Sequence, residues 1–284
     1  HGLAERVPDA GHPFVETAAH LRGLFAAGRP IIGICAAAVL IRALAPLLAD
    51  KRAEPPVLAV AEDGSAVVPL LGGHHGAHRL ARQIGDFLGV APAITTAGDV
   101  RFGIALDDPP PGWILANPGD YKGFAGALLA GAAVRLEGVA DWLEASRLPL
   151  AESASLTIHA TDQSAPGSPA ALVYHPRTLA VGVGAERGAK PEELLALVRG
   201  TLSAHGLAEA SVAGLFSLDL KADEPAVHAA AAALGVPVRF FSAAVLEAET
   251  PRLATPSDIV FRQVGCHGVA EAAGADAAEL ASAS

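Results

Sequence analysis

Methionine is missing from the 284-residue sequence, which begins at His1. We therefore expect the chain to be a processed, recombinant or incompletely represented piece of a longer protein. Only two cysteines occur, Cys35 and Cys266, and they lie far apart in the sequence. Such a pair excludes a disulfide framework and fits a reducing cytoplasm, and neither cysteine is expected to be an activated nucleophile.

Long apolar runs and excess positive charge are missing as well. No uninterrupted apolar stretch reaches about 18 residues, and no charged-then-apolar leader opens the chain, so we expect neither a membrane span nor a signal peptide. The chain has 20 Lys and Arg against 30 Asp and Glu, a formal net charge of -10. That balance argues against nucleic acid or an anionic membrane surface as a partner. The predicted location is the cytoplasm.

Aromatic residues make up only 5% of the chain, whereas 30 glycines and 21 prolines indicate many turns. Apolar runs of strand length alternate at short intervals with apolar positions at helical spacing. This pattern predicts an α/β fold with two α/β domains, mostly parallel sheets and a small inserted subdomain. The predicted boundaries are 1–99 for the first domain, 100–163 for the subdomain, 164–169 for a Ser/Pro/Gly linker and 170–284 for the second domain.

The segment from Pro69 to Leu80 places three glycines and three histidines between an apparent strand and a helix. Gly72, Gly73 and Gly76 allow sharp turns, and we expect Gly73 to adopt a positive φ and to let a ligand approach the backbone. A glycine loop that opens a helix presents unpaired N–H groups, which favours a bound carboxylate or phosphate. We expect this histidine loop, residues 72–78, to lie at the carboxyl ends of parallel strands, where such sheets bind ligands.

Other interpretations of the histidine loop remain open. A tight turn with solvent-exposed histidines explains the spacing about as well. No metal site is predicted, because His74 and His78 are four residues apart but no nearby Cys or acidic residue completes a familiar ligand set. From Arg42 to Arg82, however, five basic residues face four acidic ones, so a small polyanion is a reasonable ligand.

A second group of candidate residues lies in the predicted second domain. Gly182, Gly184 and Gly188 do not match the dinucleotide-binding spacing, and a plain strand-to-helix turn explains them. A cluster of charged residues from Asp219 to Glu224 follows the next strand. Ligand binding and helix capping account for this cluster about equally well.

Two separated sets of segments share a pattern with one known family. They are 33–37, 41–48, 50–51, 54–56, 70–74 and 94–97 in the first half, and 182–188, 217–224 and 269–271 in the second. In the right order over nearly the whole chain, these segments resemble the CbiG family of cobalamin biosynthesis (cobalt-precorrin-5A hydrolases), and they are closest to versions fused to a precorrin-3B methyltransferase. Ala38, His78 and the pair Ala185-Glu186 depart from the family's usual pattern.

The resemblance implies an enzyme that opens the δ-lactone of a cobalt-precorrin-5A-like macrocycle and releases acetaldehyde. His74 or His75 would activate the water, and the backbone of the histidine loop would bind the oxyanion. No cofactor is expected, since any cobalt would belong to the substrate. The residues expected to bind the substrate are Arg42, Lys51, Gly72, Gly73, Gly76, His78, Arg79, Thr95, Thr96, Gly184, Lys221, Glu224 and Glu271.

The expected partners are a polycarboxylated corrin precursor, other enzymes of corrin biosynthesis and, where the chain is part of a fusion, a methyltransferase domain. One alternative is a non-catalytic tetrapyrrole-binding module of such a fusion, which would bind corrin precursors without turning them over. A third interpretation, supported only by the glycine loops, is a nucleotide-binding regulatory protein.

Overall fold

A computed structural model describes residues 1–50 and 53–282. Lys51, a predicted substrate-binding residue, lies outside the described residues, and so does the side chain of His74. The chain forms two compact units. The first contains His1–Pro110 with Ala145–Arg147, and the second contains Pro111–Glu144 and the chain from Leu148 onward.

The first unit contains a three-stranded sheet flanked by helices on both faces. Its elements are β1 (Gly2–Leu3), β2 (Pro13–Phe14), α1 (Thr17–Ala26), β3 (Ile31–Ile34), α2 (Ala37–Leu44), β4 (Val57–Val60), β5 (Val67–Leu71), α3 (Ala77–Leu88) and α4 (Ala97–Phe102).

The central strand β4 is continuously apolar because both of its faces are covered. All four residues from Val57 to Val60 are buried. Val57 and Ala59 pack with the core residues of α1 and α2, while Leu58 and Val60 pack against α3. Two thin hydrophobic layers therefore hold the sheet between its helices.

The direction of β5 decides where the histidine loop lies. β3 and β4 are parallel, but β5 runs antiparallel to β4 and pairs Leu71 with Val57. The end of β5 therefore lies beside the first residues of β4 and β3. The loop follows the carboxyl end of its own strand, but it lies at the amino ends of the parallel pair, so the predicted location at the carboxyl ends of parallel strands is wrong.

A short strand is also expected from the sequence at 93–96, and the structure does not contain it. Residues 91–96 are neither helix nor strand. The Ala93 N–H does reach the Val67 carbonyl at 2.8 Å, which ties this segment to the start of β5. Thr95 and Thr96 are therefore exposed residues of a connection that leads into α4.

The second unit contains a four-stranded and a three-stranded sheet. Its elements are β6 (Trp113–Leu115), α5 (Tyr121–Leu129), β7 (Val134–Glu137), α6 (Asp141–Glu144), β8 (Leu156–Ala160), β9 (Ala171–Pro176), β10 (Leu179–Gly182), α7 (Pro191–Ala204), β11 (Val212–Leu218), α8 (Pro225–Leu234), β12 (Val238–Phe241), α9 (Ala243–Ala248), α10 (Asp258–Val264) and α11 (Ala270–Ser282).

The four-stranded sheet has the order β6-β9-β8-β7, and only the β6 to β9 pair is antiparallel. The segment 164–169 connects β8 to β9, which are neighbours in this sheet. The division of the chain into domains at this segment stays a prediction.

The three-stranded sheet β10-β11-β12 is entirely parallel. Local signals set the helix that follows β11, because Pro225 occupies the first position of α8 and Gly235 ends it with a φ of 64°. Parallel-dominated sheets and interleaved helices in both units confirm the predicted α/β class. No described helix is both long enough and apolar enough to cross a membrane.

Candidate functional site

Two glycines shape the histidine loop, and Gly73 is not one of them. Gly72 has a φ of 72° and Gly76 a φ of 90°, while Gly73 begins a 3-10 turn that ends at His75 and does not have a positive φ. A Cβ on Gly72 would lie 2.5 Å from the Pro55 carbonyl oxygen. Gly72 is thus required for a close approach of the chain to itself, and the positive φ expected at Gly73 is wrong.

The loop uses part of its own hydrogen-bonding capacity. The Gly72 carbonyl accepts the N–H of His75 at 2.9 Å and that of Ala77 at 3.1 Å. Neither of these N–H groups is therefore available to an anion. An oxyanion or carboxylate would have to use other donors of the loop or of the first turn of α3.

His78 faces the loop from the first turn of α3. A Cβ on Gly73 would lie 3.3 Å from Cε1 and Nε2 of the His78 ring, so Gly73 makes room for this imidazole. The other side of the ring meets α4, where Nδ1 lies 3.5 Å from Asp99 Oδ2 and 3.4 Å from the Thr96 hydroxyl. The site thus includes a half-buried imidazole held beside a carboxylate.

Asp99 binds two side chains from α3, Arg82 and His78. Its side chain is only 6% exposed, and it forms an ion pair with Arg82 in addition to its contact with His78. Burial alone would raise the pKa of Asp99, but the hydrogen bond and charge of His78, together with Arg82, outweigh burial and hold the pKa below its usual range. Asp99 is therefore an ionised anchor for the start of α3.

Arg79 binds a different carboxylate. Its Nη1 lies 2.7 Å from Asp108 Oδ1, and a Cβ on Gly76 would lie 2.7 Å from its Nη2, so the guanidinium lies against the loop. Burial raises the pKa of Asp108, and Arg79 offsets this only in part. Two aspartates with opposite pKa shifts thus face the same helix.

These ion pairs reduce the free positive charge of residues 42–82. Arg79 and Arg82 are neutralised by aspartates that lie 29 and 17 residues further along the chain. Asp99 and Asp108 are functional candidates missing from the sequence-based set of site residues. Asp99 in the first turn of α4 carried only a weak local signal, and Asp108 precedes a run of three prolines.

The other predicted residues of the first unit lie on the surface. His75 is exposed in the 3-10 turn, and Arg42 is exposed in the last turn of α2. Thr96 approaches His78, and Thr95 is exposed beside it.

The predicted residues of the second unit gather at the carboxyl ends of β10 and β11. Gly184 is exposed just after β10, and Lys221 lies in a 3-10 turn just after β11. Glu224 is only 2% exposed, and both of its carboxylate oxygens lie 3.3 Å from the Gly188 N–H. Glu224 therefore joins the two loops, and its binding of a substrate stays a prediction.

A second contact fixes the same two loops. Arg187 donates to both carboxylate oxygens of Asp223 at 3.0 Å and to the Leu220 carbonyl at 2.9 Å. Both charged side chains are largely exposed, so this pair adds order and little net stability.

Glu271 lies at the start of α11, beside the same strand ends. Its carboxylate accepts the Ala254 N–H and, at 3.3 Å, the Thr255 hydroxyl. The helix itself packs closely on β10, because a Cβ on Gly182 would lie 1.7 Å from the Ala270 carbonyl oxygen. Glu271 thus orients the loop at Ala254 and Thr255, from the start of a helix that packs on the end of β10.

Metal ligands do not cluster in the described part of the chain. Among the side chains that the structure describes, which do not include those of His74, Asp276 and Glu279, no group of three or more His, Cys, Asp or Glu could hold a metal ion. Both cysteines are free thiols, and burial raises the pKa of each.

The chain is an α/β protein with a glycine loop in one unit and linked strand-end loops in the other. Its sequence matches models of one family at both ends. The family model described as Cobalamin synthesis G N-terminal matches residues 19–99, and the one described as Cobalamin synthesis G C-terminus matches residues 179–283. The chain belongs to the CbiG family.

Curated relatives carry names from the same pathway. A protein from Priestia megaterium named Cobalt-precorrin-5A hydrolase is 29% identical over 292 residues, which is 92% of this chain and 77% of the relative. Protein CobE from Sinorhizobium sp is 50% identical over 95 residues, which is 34% of this chain and 62% of CobE. The Cobalt-precorrin-5A hydrolase of Salmonella typhimurium is 42% identical over 87 residues, 30% of this chain and 25% of that protein.

Two solved structures are also similar. One is CobE, a protein from the cobalamin (vitamin B12) biosynthetic pathway, at 42% identity over 37% of this chain and 74% of that chain, with a TM-score of 0.36. The other is a cobalamin biosynthesis protein G homologue from Sulfolobus solfataricus, at 20% identity over 86% of this chain and 73% of that chain, with a TM-score of 0.33. Neither TM-score reaches 0.5, so neither likeness supports a conclusion about the fold.

Proposed function

We propose that this chain acts in cobalamin biosynthesis by hydrolysing the δ-lactone of a cobalt-precorrin-5A-like macrocycle, with release of a two-carbon fragment as acetaldehyde. The observation that carries the proposal is the similarity along 92% of the chain to the Priestia megaterium Cobalt-precorrin-5A hydrolase. Both ends of the chain also match the family models, so the relationship is not limited to one shared domain.

Lactone opening needs an activated water and donors for the developing oxyanion. We propose that His74 or His75 is the general base, and the exposed His75 side chain can meet a substrate in solvent. His78 is a further imidazole for this role, because Asp99 and the Thr96 hydroxyl orient its ring. Any cobalt is part of the substrate, and the chemistry proposed for these residues requires no resident cofactor.

The substrate would be held by charge and by backbone donors. A macrocycle rich in carboxylates suits the guanidinium groups of Arg42 and Arg79, which are each exposed in part. In the second unit, Gly184 and Lys221 lie at strand ends where a parallel sheet binds ligands. Which unit carries the chemistry is decided by variants in each.

The decisive experiment incubates the purified chain with the lactone intermediate and assays acetaldehyde. Release of acetaldehyde by the wild type and its loss in a His74→Ala/His75→Ala double variant would support both the reaction and the role of the loop. If the wild type and the double variant release acetaldehyde equally, the reaction is supported but neither histidine is needed for it. A wild type that binds the macrocycle and releases no acetaldehyde would contradict the hydrolase proposal.

That last outcome would favour a second function, a tetrapyrrole-binding module without turnover. The observation in its favour is the 50% identity over 95 residues to Protein CobE, whose name states no reaction; over a match of similar length, 87 residues, the Salmonella typhimurium hydrolase is 42% identical. In this function the chain would hand corrin precursors to other enzymes of the pathway, among them a fused methyltransferase domain.

A further inference from the structure

Asp108 binds Arg79, the arginine whose guanidinium lies against the histidine loop. Its Oδ1 lies 2.7 Å from Arg79 Nη1, and the Arg79 guanidinium itself lies against Gly76. Glycine loops at the start of a helix commonly bind carboxylates or phosphates. Here the protein supplies a carboxylate of its own.

Only one of the two carboxylate oxygens of Asp108 has a hydrogen-bond partner among the described residues. The Asp108 side chain is 11% exposed, and its second oxygen, Oδ2, is buried without a hydrogen-bond partner among the described residues. An unpaired buried carboxylate oxygen costs free energy. Arg79 is 41% exposed, so its guanidinium remains accessible from solvent.

The neighbouring pair shows the contrast. Asp99 contacts both Arg82 and His78, and the pKa of its carboxyl is lowered. Burial raises the pKa of Asp108, next to Arg79, Asp107 and His78. The Asp99 pair is a stable anchor, whereas the ionised form of Asp108 is poorly accommodated.

We propose that Asp108 is an internal stand-in for a substrate carboxylate, and that a carboxylate of the corrin precursor displaces it from Arg79. The inference rests on the proposed function for the identity of the ligand. Binding exchanges one carboxylate for another at the guanidinium, so the displaced Asp108 competes with the substrate and lowers its affinity. Asp108 is in this sense a specificity residue, because a ligand must bring a carboxylate to replace it.

The test measures binding of uroporphyrin, a planar porphyrin with many carboxylates, by calorimetry to the full chain, with its uncharged methyl ester as the control ligand. Asp108→Asn should tighten uroporphyrin binding about tenfold, because the competing charge is removed while the shape is kept. Arg79→Ala should weaken binding, and adding Asp108→Asn to Arg79→Ala should change little, because the two residues act through one contact.

Asp107→Asn is the matched control, since it removes the same charge from the adjacent residue. An equal gain from Asp107→Asn would reduce the effect to net charge and overturn the inference. Weaker binding by Asp108→Asn would also overturn it, because Asp108 would then position Arg79 for the ligand. Asp108→Ala provides a second variant, and uroporphyrin binding to neither the wild type nor either Asp108 variant would exclude the site.

These outcomes are separate from the hydrolase assay. If the chain releases no acetaldehyde, but its affinity for uroporphyrin rises with Asp108→Asn and falls with Arg79→Ala, the role of Asp108 is supported and the hydrolase proposal is contradicted. If the chain releases acetaldehyde and neither substitution changes its affinity for uroporphyrin, the hydrolase proposal is supported and the role of Asp108 is contradicted.

Discussion

Alanine at Gly72 is expected to lower the free energy of unfolding by about 2–5 kcal/mol. Two costs combine at this position. The φ of 72° strains any L-residue, and the new Cβ would lie 2.5 Å from the Pro55 carbonyl oxygen. Because that neighbour is backbone next to β4, it has little room to move.

Two other glycines separate these costs. Gly89 has a φ of 70°, but apart from its chain neighbours no atom of the described residues would lie within 4 Å of a Cβ at this position. Gly89→Ala should therefore lose only the backbone contribution of about 1–2 kcal/mol. Gly73 has no positive φ, and its Cβ would meet only the His78 ring at 3.3 Å. Gly73→Ala should therefore stay within about 1 kcal/mol of the wild type and act mainly on the position of His78.

Urea unfolding followed by circular dichroism measures all three variants, since domains are stable by about 5–15 kcal/mol. Equal losses for Gly72→Ala and Gly89→Ala would refute the close approach to Pro55. A loss for Gly73→Ala as large as that for Gly72→Ala would refute the backbone geometry of the whole loop.

Asp99→Asn should lower stability by about 1–3 kcal/mol at neutral pH. Because the folded pKa of Asp99 is lowered, its contribution is present above about pH 4, and the difference from the wild type should shrink in urea unfolding as pH falls further. Gly182→Ala should lower the melting temperature markedly, because the new Cβ would lie 1.7 Å from the Ala270 carbonyl oxygen, and an unchanged melting temperature would contradict this packing. Replacing the proposed general base, His74 or His75, with Ala should lower turnover by about 10²- to 10⁴-fold while corrinoid affinity stays within a few-fold, as measured by acetaldehyde release and calorimetry.

Local sequence signals were sufficient for the fold class and for several helix ends. Pro225 and Gly235 bracket α8, because proline suits a first helical position and glycine suits the left-handed residue that ends a helix. The buried strand Val57–Val60 was identifiable as a continuous apolar run. Such features depend only on residues close in sequence.

Predicting where the histidine loop lies requires the direction of β5, and the length of the preceding connection indicates that direction. Only residues 61–66 separate β4 from β5, which is too short for a parallel crossover and suits a hairpin. The rule for parallel sheets therefore does not apply to the loop that follows β5. Gly184 and Lys221 do follow the carboxyl ends of parallel strands, because β10, β11 and β12 are all parallel.

The ion pairs of the site had no comparable signal in the sequence. Asp108 lies 29 residues from Arg79, within a proline-rich segment that suggested only an irregular connection. Pairing over such a separation depends on how the connection folds back, and neither spacing nor composition specifies that path. Counting charges along residues 42–82 therefore overstated the free positive charge near the loop.

The internal pairing changes what binding of a polyanion must involve. A free guanidinium gains a partner and releases counterions when a carboxylate binds, which makes affinity fall steeply with salt. At Arg79 the incoming carboxylate instead replaces Asp108, so the number of ion pairs at that position stays constant. Affinity then depends on how much better the ligand pairs with the guanidinium than Asp108 does, since the second oxygen of Asp108 is buried without a partner among the described residues. Discrimination at Arg79 thus follows from the shape and placement of the ligand's carboxylates more than from their number.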